Sequence, residues 1–356
     1  MKKIILTGGG TAGHVTPNIA LLPKLRELDY DIHYIGTYDG IEKKLIEECD
    51  IPYYGISSGK LRRYFDVKNF SDPFKVIKGY RQAIRLLKQL KPDVVFSKGG
   101  FVSVPVVLAA RHCKIPAIIH ESDLTPGLAN KIAIPAAQKV CCNFPETLQY
   151  LPADKAVLTG SPIRAELLSG NRLRAMDLCH FTTAKKVILV VGGSTGSQFI
   201  NTTIREMLPE LLKYYQIIHL CGKGNLNSSL EGREGYAQFE YAGKELRDFF
   251  ALADLVISRA GANAICEILA LRLPNILIPL SANASRGDQI LNARSCDNQG
   301  FSHVIEEENL TGLILKDAIA HVLENRQNYI SAMEKSRQLD SIDSIIGLIE
   351  DTVNAR

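Results

Sequence analysis

Residues 1–22, MKKIILTGGGTAGHVTPNIALL, join a short apolar run, three consecutive glycines and an apolar helical pattern. The apolar run ends at Gly8, which is typical of a buried strand, and the spacing after His14 is typical of a helix. A glycine-rich turn between a strand and a helix lets the backbone approach a ligand and offers unpaired helix N–H groups to an anion. The stretch therefore predicts a β-α unit whose connecting loop can bind a phosphate group.

The same order of apolar strand, glycine-rich or polar turn and helix recurs along the chain. It recurs before the segment TGSPIR (159–164) and restarts after it. Parallel strands joined by helices form a doubly wound sheet, and 356 residues suffice for two such domains. We expect an α/β fold with two doubly wound, Rossmann-like domains facing a cleft. The predicted domains are residues 1–162 and 163–338, and a final helix at 339–356 is expected to return to the first domain.

The composition disfavours several classes of protein. No run approaches the roughly 18 apolar residues of a membrane-spanning helix, and the start lacks the pattern of a signal peptide, so we expect a cytoplasmic location. The eight cysteines form no CxxC pair, which argues against a disulfide framework and a zinc site. A nicotinamide cofactor is disfavoured because no acidic residue stands at the ribose position, and no GxxxxGK[ST] motif indicates a P-loop.

Positive charge is concentrated in residues 59–91, which contain ten Lys or Arg and two Asp. This local excess is larger than the net charge of +4 of the whole chain, and it indicates an anionic partner such as a membrane or nucleic acid. Ile77, Tyr80, Ile84 and Leu87 are spaced along one helix face amid these charges. Such a face suits anionic lipid headgroups, but the same spacing is typical of a helix that packs on a core.

Several loops that follow strands carry candidate functional residues, and each has a structural alternative. His14 is either a general base beside an anion-binding loop or a histidine that caps or packs on a helix. Glu267 lies in an apolar helical stretch, where a carboxylate needs a partner such as a ribose hydroxyl. Asp288, Gln289 and Asn292 suit either sugar hydroxyls or a polar helix start. Three further loops complete the set: SKGGFVS (97–103), HESDLTPGLANK (120–131) and GGSTGS (192–197).

Seven motifs closely resemble, in order and spacing, the UDP-N-acetylglucosamine:lipid I N-acetylglucosaminyltransferases of glycosyltransferase family 28. They are TGGGTAGHVTPNIAL, SKGGFVSVPVVLAA, IIHESDLTPGLANK, LTGSPIR, VVGGSTGS, ISRAGANAICEI and GDQILNA. The resemblance implies a GT-B fold and an inverting, metal-independent transfer of GlcNAc from UDP-GlcNAc, without a cofactor. The implied acceptor is the C4 hydroxyl of MurNAc in undecaprenyl-diphosphate-MurNAc-pentapeptide (lipid I). The resemblance also implies peripheral attachment to anionic phospholipid at the cytoplasmic face of the membrane, and no nucleic-acid partner.

By position, the resemblance implies roles for individual residues. His14 is the expected base, and Glu121 is the rival base or the orienting partner of His14. The residues expected to bind the donor are Thr11, Ala12, Gly13, Arg164, Ser194, Gly243, Arg259, Gly261, Glu267, Gln289 and Asn292. Those expected to bind the acceptor diphosphate are Gly9, Gly10, Gly99, Gly100 and Asn130. Those expected to contact the membrane are Ile77, Lys78, Tyr80, Arg81 and Arg85, and no metal ligand is expected.

Two positions depart from the pattern of many relatives. Ala12 stands where they have glycine, and Asp123 stands where they have asparagine. These differences leave open a related GT-B enzyme with another lipid acceptor, such as diacylglycerol. A UDP-GlcNAc 2-epimerase and a non-catalytic nucleotide-sugar sensor would share the fold and the donor. With lipid I as acceptor, other proteins of cell-wall synthesis are further candidate partners.

Overall fold

Parallel strands alternate with helices through both halves of the chain. The computed structural model describes residues 1–59, 72–193, 195–282, 287–336 and 338–355. The chain divides into two compact units, Met1–Arg164 with Arg337–Arg356 and Ala165–Ser336. Each unit has its own parallel sheet and its own hydrophobic clusters.

The first unit is built on a parallel sheet with β1 near its centre. Its strands are β1 (Lys3–Thr7), β2 (Asp31–Thr37), β3 (Tyr53–Ile56), β4 (Val94–Ser97), β5 (Ala117–Glu121), β6 (Lys139–Cys142) and β7 (Ala156–Leu158). Its first helices are α1 (Thr16–Glu27), α2 (Ile41–Glu47), α3 (Asp72–Leu90), α4 (Ser103–His112) and α5 (Leu128–Ala133). Within the described residues the order is β3-β2-β1-β4-β5-β6-β7. The order reverses between β1 and β4, so the loops after these two strands are neighbours at the carboxyl edge of the sheet.

The second unit repeats this plan. Its strands are β8 (Lys186–Val191), β9 (Tyr215–Leu220), β10 (Tyr236–Phe239), β11 (Leu255–Ser258), β12 (Asn275–Leu277) and β13 (His303–Val304). Its helices are α6 (Arg172–Cys179), α7 (Gln198–Leu211), α8 (Leu246–Leu252), α9 (Ala262–Ala270), α10 (Asp288–Asn298), α11 (Gly312–Glu324) and α12 (Arg326–Met333). Among the described residues the order is β10-β9-β8-β11-β12-β13, which again reverses, here between β8 and β11. The prediction of two doubly wound parallel sheets is confirmed.

The central strand β1 is buried on both faces of its sheet. Successive side chains of a strand point to opposite faces. Ile5 accordingly lies in one cluster with Ala83 of α3 and Val106 of α4, and Ile4 lies in another with Leu21 of α1. All of these side chains are fully buried. Burial on both faces explains why β1 is a continuous apolar run rather than an alternating one.

The last helix, α13 (Ser341–Asn354), packs on the first unit beside α1. Its Ile345 and Ile349 are fully buried in the same cluster as α1. Glu350, near the C-terminal end of α13, accepts a hydrogen bond of 2.6 Å from Lys2 Nζ. The helix therefore supplies part of the apolar cover on one face of the sheet.

Most of the apolar side chains of the basic helix α3 pack in or against the hydrophobic core of the first unit. Leu87 is fully buried, and Tyr80 packs against the same cluster, so the core-facing interpretation holds for this part of the helix. Exposed apolar side chains occur at Phe74 and Ile77, which are 75% and 49% exposed. The remaining basic segment at 60–71 lies outside the described residues. Of the helices that the structure describes, none is long and apolar enough to cross a membrane.

All eight cysteines lie in the described part of the chain, and none of them forms a disulfide. Six are buried, and Cys49 and Cys113 are half-buried. Burial raises the pKa of the Cys141 and Cys142 thiols to about 12. These two thiols are therefore protonated at neutral pH and act as small apolar side chains.

Replacement of Ile349 by alanine tests the contribution of α13 to the first unit. Ile349→Ala deletes buried methylene and methyl groups, so we expect the free energy of unfolding to fall by about 2–5 kcal/mol. Urea unfolding followed by circular dichroism measures the change. The matched control is Ser344→Ala, an exposed position on the same helix. Equal stability of the two variants would contradict the packing of α13.

Candidate functional site

The loop after β1 turns tightly before it enters α1. Gly10 has a φ of +88°, a left-handed conformation that favours glycine. At Gly8 a Cβ atom would come within 2.4 Å of the His14 carbonyl oxygen, so the chain folds back on itself here. Residues Ala12–His14 form a single 3₁₀ turn, closed by a hydrogen bond of 3.1 Å from the His14 N–H to the Thr11 carbonyl. The loop thus presents His14 at the start of α1.

The His14 imidazole has a defined hydrogen bond to the neighbouring loop. Its Nδ1 lies 3.0 Å from the Lys98 carbonyl oxygen. A carbonyl oxygen only accepts hydrogen bonds, so Nδ1 must carry the proton in this contact. In the neutral ring the lone pair then resides on Nε2. This tautomer leaves Nε2 as the basic atom of His14.

Lys98 itself is fully buried and connects three segments of the first unit. Its Nζ contacts His120 Nδ1 at 2.7 Å, Ser122 Oγ at 2.8 Å and Ser161 Oγ at 3.0 Å. The other ring nitrogen of His120 lies 2.8 Å from the Gly160 carbonyl oxygen. Burial, reinforced by the Lys98 charge, holds the pKa of His120 well below its usual value. His120 is therefore a neutral structural partner of Lys98.

Lys98 was not among the sequence candidates. The local signal is a lysine that directly follows the apolar strand β4 and precedes a pair of glycines. The lysine alone did not reveal its acceptors, because His120 and Ser161 are 22 and 63 residues away along the chain.

Glu121 follows His120 and holds the next loop together. Its Oε1 accepts hydrogen bonds from the backbone N–H groups of Ser122 (2.9 Å) and Asp123 (3.1 Å). Its Oε2 accepts from the Gly127 N–H (2.9 Å) and from Asn130 Nδ2 (2.8 Å). Burial raises the pKa of this carboxyl group, and the hydrogen bonds from Asn130 and Gly127 oppose that rise. Both oxygens are thus engaged in folding the loop that contains Asn130.

The loops after β1 and β4 touch through their backbones. A Cβ atom at Gly100 would come within 2.2 Å of the Gly9 carbonyl oxygen, and Gly99 and Gly100 have φ values of +91° and +84°. The structure therefore brings the residues predicted for the acceptor diphosphate into one part of the first unit. Gly10 lies in the same place, but its N–H already donates a hydrogen bond of 3.2 Å to the Glu42 carboxylate.

In the second unit, most of the predicted donor residues that the structure describes lie near the ends of β8, β11 and β12. Ser194, a predicted donor ligand, is outside the described residues. Ser197 caps α7 by accepting a hydrogen bond of 3.3 Å from the Ile200 N–H. Gly261 directly precedes α9. The N-termini of α7 and α9 carry the positive ends of their helix dipoles, which favour an anion.

Arg259, another predicted donor residue, forms hydrogen bonds and an ion pair within the second unit. Its guanidinium donates to Ser197 Oγ (2.6 Å) and to the carbonyl oxygens of Ile278 and Pro279 (both 3.2 Å), and it forms an ion pair with Glu307. Arg259 thus joins the loops after β8, β11 and β12. Glu307 was not a sequence candidate, since it lies 48 residues from its partner.

Three more predicted donor residues also have contacts inside the unit. Gln289 Oε1 accepts a hydrogen bond of 3.1 Å from the Leu280 N–H, and Asn292 Nδ2 donates to the Ala260 carbonyl at 3.4 Å. Glu267 is half-buried on α9. The contacts of Gln289 and Asn292 place these two residues beside the same set of loops, and Glu267 lies on the helix that follows β11.

Two predicted donor residues, Gly243 and Arg164, do not belong to the loops after β8, β11 and β12. The Gly243 N–H contacts the Glu245 carboxylate at 3.1 Å before α8. Arg164 belongs to the first unit and is its last residue before the chain enters the second.

Comparisons with known proteins agree with this geometry. Residues 4–142 match the glycosyltransferase family 28 N-terminal domain, and residues 187–346 match the glycosyltransferase family 28 C-terminal domain. The chain is 66% identical to the UDP-N-acetylglucosamine--N-acetylmuramyl-(pentapeptide) pyrophosphoryl-undecaprenol N-acetylglucosamine transferase of Lachnoclostridium phytofermentans, over 99% of both chains. It is 65% identical to the protein of the same name from Lachnospira eligens, again over 99% of both chains.

The solved structures with the same architecture include Acinetobacter baumannii MurG. That structure has a TM-score of 0.77 and 27% sequence identity, and the alignment covers 99% of this chain and 100% of that one. A structure titled as a UDP-N-acetylglucosamine 2-epimerase from Listeria monocytogenes has a TM-score of 0.72 at 13% identity, which shows a shared fold only. The predicted GT-B fold class is confirmed, and the chain belongs to glycosyltransferase family 28.

Proposed function

We propose that this chain transfers GlcNAc from UDP-GlcNAc to the C4 hydroxyl of MurNAc in undecaprenyl-diphosphate-MurNAc-pentapeptide, converting lipid I to lipid II. The observation that carries this proposal is the 66% identity, over nearly the full length, to a UDP-N-acetylglucosamine--N-acetylmuramyl-(pentapeptide) pyrophosphoryl-undecaprenol N-acetylglucosamine transferase. The position of His14 on the glycine-rich loop supports it, because this loop supplies a base with a defined tautomer. The reaction inverts the anomeric carbon and needs neither a metal ion nor a cofactor.

In the proposed mechanism, His14 acts as the general base. Its Nε2 takes the proton from the acceptor hydroxyl, and the hydroxyl oxygen attacks the anomeric carbon of GlcNAc. The bond to UDP breaks as the new glycosidic bond forms, and UDP leaves with its developing negative charge. The N-termini of α7 and α9 can stabilise this charge, together with Arg164 and Ser194.

The two units divide the substrates in this proposal. The first unit, predicted as residues 1–162, binds the acceptor diphosphate near Gly9, Gly99, Gly100 and Asn130, with Thr11 to Gly13 also contacting the donor. The second, predicted as residues 163–338, binds UDP-GlcNAc. Within it, Glu267 binds the ribose, Gln289 and Asn292 bind the sugar hydroxyls, and the backbone near Gly243 contacts the uracil.

We assign Glu121 and Arg259 to supporting roles rather than to direct chemistry. Both carboxylate oxygens of Glu121 accept hydrogen bonds from its own loop, so proton removal by Glu121 would cost these contacts. The guanidinium of Arg259 similarly holds Ser197 and Glu307. His14 is therefore the better base, and Arg259 supports the donor loops.

The test of the proposed function is a transfer assay with purified protein. Radiolabelled UDP-GlcNAc and a short-chain lipid I analogue are incubated with the enzyme in the presence of EDTA. We expect a product with a β-1,4-linked GlcNAc. Binding of UDP-GlcNAc without product would contradict the assignment and point to another acceptor or to a sensor, and formation of a 2-epimer without lipid would indicate an epimerase.

Replacement of His14 tests the proposed base. His14→Gln should lower kcat by about a hundredfold or more, which is typical of the loss of a general base. The KM for UDP-GlcNAc should stay unchanged, because the proposed sugar and ribose contacts lie in the second unit. His112→Ala, at an exposed histidine of the first unit, serves as control. A His14→Gln enzyme with normal kcat would exclude His14 as the base.

We also propose that the N-terminal part of α3 contacts anionic phospholipid at the cytoplasmic face of the membrane. Phe74 and Ile77 are exposed apolar side chains, and Lys78, Arg81 and Arg85 are exposed on the same helix. Apolar insertion combined with several basic residues is the usual composition of a membrane-surface helix. Tyr80 is left out of this face because it packs on the core.

Vesicle binding tests this membrane face. The double variant Phe74→Ser/Ile77→Ser should bind phosphatidylglycerol vesicles at least about tenfold more weakly, since each inserted side chain contributes on the order of 1.5 kcal/mol or more. Co-sedimentation at low and high salt measures the binding. The matched control is Leu313→Ser/Ile314→Ser on α11, where the side chains are 69% and 41% exposed. Equal loss in both variants would contradict a specific face.

A further inference from the structure

A fully buried carboxylate, that of Glu42, lies directly beneath the glycine-rich loop. Its Oε1 accepts hydrogen bonds from Thr37 at the end of β2, from the backbone N–H at 3.0 Å and from Oγ1 at 2.5 Å. Its Oε2 accepts from the Gly10 N–H at 3.2 Å. One side chain of α2 therefore connects the loop after β1 with the end of β2.

The surrounding glycines make room for this carboxylate. A Cβ atom at Gly9 would come within 2.6 Å of the Glu42 carboxyl carbon, and one at Gly40 would come within 2.2 Å of its oxygens. At Gly36 a Cβ atom would lie 2.9 Å from Glu42 Cγ. Glycines from three separate positions of the chain thus leave space for the same side chain, which indicates a closely fitted site rather than a chance contact.

The loop held by Glu42 leads directly to the proposed base. Only Thr11, Ala12 and Gly13 separate Gly10 from His14, and the hydrogen bonds of the 3₁₀ turn close this short connection. His14 in turn must meet the Lys98 carbonyl at 3.0 Å to keep its tautomer. A shift of the loop at Gly10 therefore changes the position of the imidazole.

We propose that Glu42 is a positioning residue of the transfer reaction, which fixes the glycine-rich loop so that His14 faces the acceptor hydroxyl. This proposal rests on the proposed function. It also means that the Gly10 N–H is occupied by an internal anion and does not bind the acceptor diphosphate. Glu42 acts through Gly10 and the loop, and touches neither substrate.

Glu42→Gln tests the proposal with little change of shape. Both carboxylate oxygens face backbone N–H donors, so either orientation of the amide sets its own N–H group against one of them. We expect kcat to fall about ten- to a hundredfold, since a displacement near 1 Å in an active site has effects of this size. The KM for UDP-GlcNAc should change less than kcat, because most of the proposed donor contacts lie in the second unit and only those of Thr11 to Gly13 lie on the loop that Glu42 holds.

Hydrogen exchange followed by mass spectrometry provides a readout that does not depend on activity. Peptides covering residues 8–15 should exchange at least tenfold faster in Glu42→Gln, because an amide cannot accept from both Gly10 and Thr37, and the loss of either contact loosens the connection between the loop and β2. Glu42→Asp is the second variant: it keeps the charge but is one methylene shorter, so it should show the same faster exchange. Glu47→Gln, an exposed position on the same helix, should match the wild type in every measurement.

Unchanged exchange in folded Glu42→Gln would show that Glu42 does not hold the loop. Faster exchange with a normal kcat would show a purely structural role and would overturn the positioning role. A wild-type protein that transfers no GlcNAc would contradict the proposed function and the positioning role with it, while the exchange data would still decide whether Glu42 holds the loop.

Discussion

The candidate site of the first unit depends on the contacts of one residue, Lys98. The Lys98 carbonyl oxygen determines which nitrogen of His14 carries the proton, and the Lys98 ammonium contacts His120, Ser122 and Ser161. A buried ammonium is costly unless its hydrogen bonds are satisfied. Lys98 therefore connects the ends of β4 and β5 with the segment at Ser161. His14, the proposed base, is attached to these connected segments through its hydrogen bond to the Lys98 carbonyl.

The second unit is organised by the same physical rule with different groups. The ion pair of Arg259 with Glu307 is largely buried, and Arg259 also contacts the capping residue of α7. A buried ion pair is costly to break, because removal of one partner leaves an uncompensated charge. In both units, the loops proposed to bind substrate are thus positioned by buried polar contacts, which allows glycine-rich backbone to keep a defined shape.

The α/β architecture and the positions of the loops could be predicted from the sequence, because apolar strands, glycine turns and helical spacing are local patterns. The partners of buried polar groups could not, since they are distant in the chain: Gly10 and Glu42 are 32 residues apart. The role of α3 was ambiguous for another reason. An amphipathic stripe has the same spacing whether it packs on a core or on a membrane, and only the burial of Leu87 and the exposure of Phe74 separate the two.

The most direct test of this account is the tautomer of His14 in solution. Nitrogen NMR of protein labelled with ¹⁵N-histidine, with the His14 signals assigned by comparison with His14→Gln, distinguishes the two ring nitrogens. The account predicts that the neutral ring carries its proton on Nδ1, with the lone pair on Nε2. A neutral ring protonated on Nε2 would contradict it, because the Lys98 carbonyl would then face a nitrogen without a hydrogen and the proposed basic atom would already hold a proton.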